Sequence, residues 1–301
     1  MPKIAYIEKK FQAKTLETIE TANQIIEEYF AQGFDLTLRQ LYYQMVARGY
    51  IENNKRSYDN LGNVIRDARL AGLIDWTRIV DRTRTLRKNG HFDNPSDIMR
   101  AAANSYQIDK WEKQPYRLEV WVEKDALLGV IEVPCQRLDL PYFSARGYTS
   151  QSEMWEAARR LKRWRDKGQI PVILYLGDHD PSGIDMTRDV IARMELFTGG
   201  LKVDRLALNW EQVERYNPPP NPAKLTDTRA EAYIAQFGLS SWELDALDPA
   251  TLTGLIEAAV TQFRDDALWA EAEEEEADGL RLLREASDRW GEIADYLDGE
   301  S

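Results

Sequence analysis

Three carboxylates stand where two predicted strands end, at positions that could hold a metal ion. Glu123 ends the stretch YRLEVWVE, and Asp178 and Asp180 follow the apolar run VILYL. Ligands of parallel α/β sheets bind outside the carboxyl ends of the strands, so we expect these side chains at one edge. Clustered carboxylates raise each other's pKa unless a cation neutralises them. An all-oxygen set without paired histidines favours Mg²⁺ or Mn²⁺ over zinc.

The stretch DHDPSG allows a second interpretation, because Asp and Ser are common in an ordinary turn that caps the following helix. The spacing of two residues places Asp178 and Asp180 on one side of an extended chain. Glu123, at the matching end of an earlier strand, favours the metal site over the plain turn. His179 could donate a hydrogen bond to a phosphate or orient an aspartate.

Two adjacent tyrosines in TLRQLYYQM, residues 37–45, are the second candidate for chemistry. Adjacent helix positions differ by about 100°, so the two side chains need different environments. Tyr42 falls on the apolar face with Leu41 and is predicted to be a core residue. Tyr43 follows Arg39 by four residues, so a guanidinium that can hold a phosphate is expected beside its phenol. A phenol with its ordinary pKa is a weak nucleophile and needs such a neighbour and a metal.

Basic residues on two predicted helices and one loop are the candidate DNA contacts. In the helix predicted from Ser57 to Ala71, three polar residues fall on the outer face, where a recognition helix would present them. The segment ARRLKRWRDK adds basic residues that could hold phosphates, although a solvated helix face is the alternative in both cases. The candidates are Asn63, Arg66, Arg69, Arg146, Arg159 and Arg163.

The predicted elements divide the chain into an N-terminal helical part and an α/β part. Helices are predicted over residues 13–31, 37–49 and 57–71, the second of them with a capping box of Thr37 and Gln40. The strand-like WTRIVDRT follows, and together these elements are the outline of a winged helix. From Tyr116 onward strands and helices alternate, which predicts a parallel sheet of Rossmann-like type. The predicted strands are YRLEVWVE, LPYFSA, PVILYLGD and KVDRLAL. A Pro-rich connector and a helical, acidic region come last, and a helix is predicted there with Asp248 as N-cap and Pro249 at its first position. We expect domains over 1–110, 111–215 and 216–301.

Charge is distributed unevenly, so the net charge of −12 does not exclude DNA as a partner. Residues 265–301 hold fourteen Asp or Glu against three Arg, which leaves the rest of the chain close to neutral. Residues 48–88 carry ten Lys or Arg against five acids. The single cysteine, Cys135, and the lack of a signal or membrane segment predict a cytoplasmic protein without a membrane partner.

Two motifs together resemble a known family. VEKDALLGVIE and YLGDHDPSGIDM look like the Toprim domain, the metal-binding module of topoisomerases, primases and some nucleases. TLRQLYYQM, followed by the predicted winged helix, resembles the DNA-cleaving A subunit of topoisomerase VI and the related meiotic double-strand-break protein. The resemblance covers roughly residues 1–215, and SWELDAL, residues 241–247, is similar to a Glu-containing motif near the end of that family.

The resemblance implies that Tyr43 attacks double-stranded DNA and forms a 5′-phosphotyrosine link. Glu123, Asp178 and Asp180 would bind Mg²⁺, and Glu123 could also transfer a proton. The family acts as a homodimer in which each tyrosine meets the partner's metal site, normally under a separate ATPase subunit. SARGYTS matches the family's Gly-rich loop only in part. The short segment before Thr37 leads us to expect a compact, stand-alone member from a bacterial or phage-infected cell.

Two alternatives remain open from the sequence. In the first, the protein is a Toprim nuclease in which a metal-activated water attacks and the tyrosine only contacts DNA. In the second, it binds DNA without cutting it. The chain lacks the motif GxxxxGK[ST], so the sequence predicts that it is not itself an ATPase.

Overall fold

The computed structural model describes residues 3–80, 91–147, 149–224, 226–227 and 229–299. Within them the protein is a mixed α/β structure with a four-stranded parallel sheet. The predicted α/β class is therefore confirmed. Among the described residues, no helix combines the length and apolar character that a membrane span requires.

The three helices predicted near the N-terminus are present. They are α1 (Ala13–Ala31), α2 (Leu38–Ala47) and α3 (Lys55–Leu70). Thr37 and Gln40 form the predicted capping box of α2, in which each side chain accepts the other residue's backbone N–H. Helix α3 begins two residues earlier than predicted, because the Asn54 side chain accepts the N–H of Ser57 and caps it.

The three helices bury a first hydrophobic core, which also contains Ile79. The predicted β segment WTRIVDRT contributes one parallel bridge, between Leu36 and Ile79, and its residues 81–83 lie outside the described residues. The next helix, α4 (Pro95–Ser105), packs against α11 (Asp266–Asp288), and Ser96 and Ser287 exchange hydrogen bonds between side-chain hydroxyl and backbone carbonyl.

The central sheet has the strand order β2-β1-β3-β4, and all its pairs are parallel. The strands are β1 (Tyr116–Val122), β2 (Tyr142–Ser144), β3 (Ile170–Leu176) and β4 (Lys202–Ala207). In register, Val122 pairs with Leu176, so β1 and β3 end side by side. The residues that follow the two strands, beginning with Glu123 and Gly177, therefore meet at one edge of the sheet.

Helices cover both faces of the sheet, as the apolar run VILYL predicts for a central strand. The helices that follow the strands are α5 (Leu128–Arg137), α6 (Gln151–Asp166) and α7 (Pro181–Thr198). Leu174 of β3 faces a core shared with α5, whereas Tyr175 faces a core shared with α6 and α7. The strand is buried on both sides, which fixes its carboxyl end rigidly.

The C-terminal part returns to the sheet instead of forming a separate layer. It contains α8 (Trp210–Tyr216), α9 (Ala230–Phe237), α10 (Pro249–Val260), α11 and α12 (Trp290–Asp298), with the short antiparallel strands β5 (Asn221–Pro222) and β6 (Ser240–Ser241). Helix α10 packs against α5 and β4. Asp248 caps α10 with Pro249 at its first position, as predicted. Residues 242–247, between β6 and α10, pass over the edge of the sheet where β1 and β3 end.

Candidate active site

Glu123 and Asp178 form a pair of buried acids at the carboxyl ends of β1 and β3. The Glu123 carboxylate accepts the backbone N–H of Asp178 at 3.0 Å. Burial, and then the charge of Asp178, raises the pKa of Glu123. Burial likewise raises the pKa of Asp178, although its ion pair with Lys124 opposes the change. A site in which two neighbouring acids resist ionisation is one that a cation would stabilise.

Glycines make the close approach of Glu123 to the loop after β3 sterically allowed. A Cβ atom on Gly177 would lie 2.8 Å from Glu123 Oε2 and 2.8 Å from the ring of Tyr175. A Cβ atom on Gly183 would lie 3.2 Å from the same Glu123 oxygen. Gly177 has no room for a side chain while the carboxylate stays where it is, and Gly183 has none because its Cβ atom would lie 2.3 Å from the Asp178 carbonyl oxygen. The two glycines thus belong to the geometry of the site.

Asp180 caps α7, which is the role that the plain-turn interpretation gives it. Its Oδ1 accepts the N–H of Gly183 at 2.6 Å and the hydroxyl of Ser182 at 2.9 Å. Asp178 instead accepts the N–H of Leu244 at 2.7 Å. In the described ranges, no group of three or more His, Cys, Asp or Glu is arranged to hold a metal ion. The centre formed by Glu123, Asp178 and Asp180 therefore stays a prediction.

Four charged residues link the acid pair to α2. Lys124 Nζ lies 2.9 Å from Asp178, 2.9 Å from Glu243 and 2.8 Å from Asp245. Arg39 pairs with Glu243 through Nη2 and with Asp245 through Nε at 2.6 Å. Burial lowers the pKa of Lys124, but the carboxylates around it outweigh burial and raise the pKa overall. Lys124 and Arg39 are therefore both charged and held by the same two acids.

Sequence reasoning missed Lys124, Glu243 and Asp245 as members of this site. Two signals could have found them. Lys124 directly follows Glu123, the carboxylate at the end of β1. Glu243 and Asp245 lie in the SWELDAL segment, whose alternating acids are unusual beside apolar residues. Nothing in the sequence shows that this segment, more than 60 residues after Asp178, returns to contact it.

Both tyrosines of α2 are buried. Tyr42 is the core residue that the pattern predicts, and its hydroxyl lies 3.0 Å from Asn53 Oδ1. Tyr43 is only 4% exposed, and its ring packs edge-on against Tyr42 with centroids 5.3 Å apart. Burial, followed by the charges of Glu243 and Asp245, raises the pKa of Tyr43. The predicted neighbour is in place, since Arg39 Nη2 lies 3.5 Å from the Tyr43 hydroxyl.

A cavity of about 810 Å³ separates α2 and α3 from the edge of the sheet. Its wall includes the start of the loop after β1 and the side of α3 that carries Arg66 and Arg69. The charged residues that line it are Arg39, Arg66, Arg69, Glu123, Lys124, Asp125, Arg146 and Asp245. Tyr43 is absent from the described residues that line it. Three of the six predicted DNA contacts therefore share a cavity with Glu123.

The predicted contacts on α3 and in the loop after β2 differ in how firmly they are held. Asn63 and Arg66 are exposed, and Arg66 pairs with Asp67 at 3.1 Å. Arg69 stacks on Trp76, with its guanidinium carbon 4.7 Å from the ring centroid, and donates to the Trp76 carbonyl at 2.6 Å. Arg146 is highly exposed and lies 3.4 Å from Asp125. Arg66 and Arg146 are the more accessible cations.

The arginines of α6 have two different roles. Arg159 and Arg163 are exposed, as a DNA contact requires, but neither is among the described residues lining the cavity. Arg160 instead makes two hydrogen bonds, at 2.7 and 2.9 Å, to the buried carboxylate of Glu119. Arg165 donates to the backbone carbonyl of Gly200 at 2.9 Å. Part of the basic character of this helix therefore serves packing.

His179 is a core residue, and neither role predicted for it matches its surroundings. Its ring is enclosed by Trp210, Tyr233, Phe237 and Trp242. Its Nδ1 lies 2.8 Å from the Tyr233 hydroxyl. Burial, together with the charge of Arg205, lowers the pKa of His179 to about 4. The ring is 1% exposed and its Nδ1 contacts the Tyr233 hydroxyl, so the aromatic cluster holds it away from any phosphate in solution.

No model of a known protein family matches the chain, and no curated protein matches it either. Arg39, Lys124, Glu123 and Asp178 meet where the first core and the sheet adjoin. This junction holds buried acids, cations and an adjoining cavity, a combination that is typical of functional sites.

Proposed function

We propose that the protein is a divalent-metal-dependent DNA-cleaving protein of the topoisomerase VI A type, acting as a homodimer on double-stranded DNA. One observation carries the proposal. The cavity of about 810 Å³ brings Glu123 of the sheet together with Arg39, Arg66 and Arg146. An acid that could bind a metal therefore lines the same cavity as cations that could bind phosphates.

The chemistry of the acid pair supports a metal ion. Glu123 and Asp178 offer only oxygen donors, and both have a raised pKa because they are buried side by side. They would hold the ion, and Asp180 is the third candidate ligand. When bound, Mg²⁺ would neutralise charge on the scissile phosphate. Arg66 and Arg146 would hold neighbouring phosphates of the DNA.

Tyr43 is the proposed nucleophile. Its hydroxyl oxygen would form a bond to the phosphorus as the bond to the 3′ oxygen breaks, and the released 3′ oxygen would take up a proton. Arg39, 3.5 Å from the phenol, is placed to stabilise the attacked phosphate and the developing phenolate. A base must remove the phenol proton, and Glu123 of the partner protomer is the candidate.

A second candidate function, hydrolysis by a water molecule, is favoured by the burial of Tyr43. That side chain is 4% exposed and, among the described residues, does not line the cavity that Glu123 lines. A hydrolytic nuclease would use the same acids and arginines. Tyr43 would then serve only to pack α2 and to orient Arg39.

One assay separates the two candidates. Supercoiled plasmid is incubated with the protein and Mg²⁺, denatured, and examined for cut strands and for protein attached to 5′ ends. Adducts formed by the wild type and by Tyr42→Phe, but absent in Tyr43→Phe and Asp178→Ala, would support Tyr43 as the nucleophile. Cleavage by Tyr43→Phe without adducts would support hydrolysis. If no form cuts, the proposed function is wrong.

The homodimer is tested by mixing two inactive variants. If each tyrosine acts with the partner's acids, a dimer of Tyr43→Phe and Asp178→Ala has one intact composite site. We expect the mixture to nick plasmid although neither variant does so alone. No recovery in a mixture shown to form heterodimers would contradict action between protomers.

A further inference from the structure

One carboxylate oxygen near the proposed active site is shared by two cations. Oε2 of Glu243 accepts hydrogen bonds from Arg39 Nη2 and from Lys124 Nζ, the latter at 2.9 Å. A non-bridging phosphate oxygen binds cations in the same way, as an anionic acceptor shared between donors. Glu243 thus lies where an anion is bound by a pair of cations that belong to different parts of the fold.

Asp245 holds the same two cations from a more buried position. Its Oδ2 lies 2.6 Å from Arg39 Nε, and its Oδ1 lies 2.8 Å from Lys124 Nζ. The side chain of Asp245 is 1% exposed, whereas that of Glu243 is 27% exposed. Asp245 therefore keeps Arg39 and Lys124 side by side, and Glu243 covers them on the side nearer to solvent.

The backbone around Glu243 is anchored on both sides. Trp242 and His179 exchange two backbone hydrogen bonds, at 2.8 and 2.9 Å, and Leu244 donates its N–H to Asp178 at 2.7 Å. Leu244 is itself fully buried. Only the side chain of Glu243 can leave without breaking these contacts. Its departure breaks its two ion pairs and a 3.4 Å hydrogen bond from Asn221 Nδ2, but it requires only rotation about side-chain bonds and no rearrangement of the segment.

We propose that Arg39 and Lys124 form a subsite for a DNA phosphodiester, and that the Glu243 carboxylate fills this subsite until DNA displaces it. Arg39, Lys124 and Asp245 line the cavity that the proposed DNA path follows, whereas Glu243 is not among the described lining residues and binds the two cations from beside it. A phosphodiester carries one negative charge, so exchanging it for Glu243 leaves the charge around Arg39, Lys124 and Asp245 unchanged. Lys124 is then a substrate contact in addition to the predicted Arg39. The inference rests on the proposed function, because it takes DNA as the substrate.

The test is the affinity of the full-length protein for a fluorescently labelled DNA duplex of about 25 base pairs, measured by anisotropy in EDTA so that no strand is cut. Glu243→Gln keeps the shape of the side chain but loses the charge that competes with phosphate. We expect about tenfold tighter binding, the effect of losing one charged hydrogen bond that DNA must otherwise replace. Glu243→Ala should also bind more tightly.

The matched control is Glu274→Gln, which removes the same charge from an exposed position on α11. Tighter binding by Glu243→Gln and not by Glu274→Gln supports the subsite. Equal gains in both variants reveal a general charge effect, and an unchanged or weaker affinity of both Glu243 variants, with melting temperatures near wild type, excludes displacement by DNA. Either result overturns the inference and leaves DNA binding intact. If neither the wild type nor any variant binds the duplex at low salt, the proposed function fails as well.

Discussion

The Arg39 guanidinium lies against the Tyr43 ring on one face of α2, with its carbon 5.6 Å from the ring centroid and its Nη2 3.5 Å from the hydroxyl. Their separation of four residues places them one above the other along the helix. Glu243 and Asp245 bind the same guanidinium from the other side. Arg39 therefore connects the proposed nucleophile to the charged residues that lie beside the acid pair.

The two tyrosine hydroxyls should contribute differently to stability. Tyr42→Phe removes a hydroxyl that lies 3.0 Å from Asn53 Oδ1 and 3.2 Å from the Asn54 carbonyl. We expect it to lower the free energy of unfolding by about 1 kcal/mol. Tyr43→Phe removes a hydroxyl whose contact with Arg39 is long and which also interacts with the Asn221 side chain, so we expect a smaller loss of about 0.5 kcal/mol. Urea unfolding of both variants measures this, and a larger loss in Tyr43→Phe would contradict it.

Gly177→Ala should disturb the acid pair directly. The added methyl group would lie 2.8 Å from Glu123 Oε2 and from the fully buried Tyr175 ring, so one of them must move. We expect a loss of about 1–3 kcal/mol in the free energy of unfolding, together with loss of metal-dependent cleavage. Gly254→Ala is the control, because it adds a methyl group inside α10 where nothing lies within 4 Å. It should stabilise the protein by about 0.5 kcal/mol and keep activity.

Arg160 and Arg159 are neighbours on α6 with opposite expected phenotypes. Arg160→Met leaves the Glu119 carboxylate buried and, among the described residues, with the Trp121 indole as its remaining side-chain donor. Because Arg160 is itself partly exposed, we expect a loss of about 2 kcal/mol, less than for a fully buried pair. Arg159→Met should change stability by less than about 0.5 kcal/mol and weaken DNA binding. Calorimetry and duplex anisotropy measure the two effects, and equal stabilities would show that Arg160 is not a packing residue.

His179 should make stability fall in mildly acidic solution. Its pKa is about 4 in the fold against an ordinary value of 6.5, so the unfolded chain binds the proton more readily. Its contribution is complete above pH 6.5 and is lost as the pH falls towards 4, by at most about 1.4 kcal/mol per pH unit. The raised pKa values of Glu123 and Asp178 act in the opposite direction. The slope is therefore compared, in EDTA, with that of His179→Gln, which keeps those acids and should lack the loss.

Local patterns predicted much of the fold, because helix caps and apolar periodicity act within a few residues. The capping box of Thr37 and Gln40 and the Asp248–Pro249 start of α10 are found where the sequence predicts them. The four strands of the sheet fall on the predicted segments, with ends that differ by one or two residues. The order β2-β1-β3-β4 then brings Glu123 beside Asp178.

Contacts between distant segments could not be predicted in the same way. The burial of Tyr43 depends on its position in the first core, and the aromatic cluster around His179 is supplied mainly by α8, α9 and Trp242. Alternation in DHDPSG suggested one shared direction for Asp178 and Asp180. The chain leaves β3 at Leu176, however, and the two side chains bind different groups.

The sequence by itself determined which residues could do chemistry here, because residue type and local spacing are enough to place a carboxylate at a strand end or an arginine one turn before a tyrosine. Only the tertiary structure decided how these residues are bound. Glu243 and Asp245 reach Arg39 and Lys124 across more than a hundred residues of chain. Such long-range ion pairs leave no periodic signal in the sequence, since their geometry is set by the packing of the first core against the sheet.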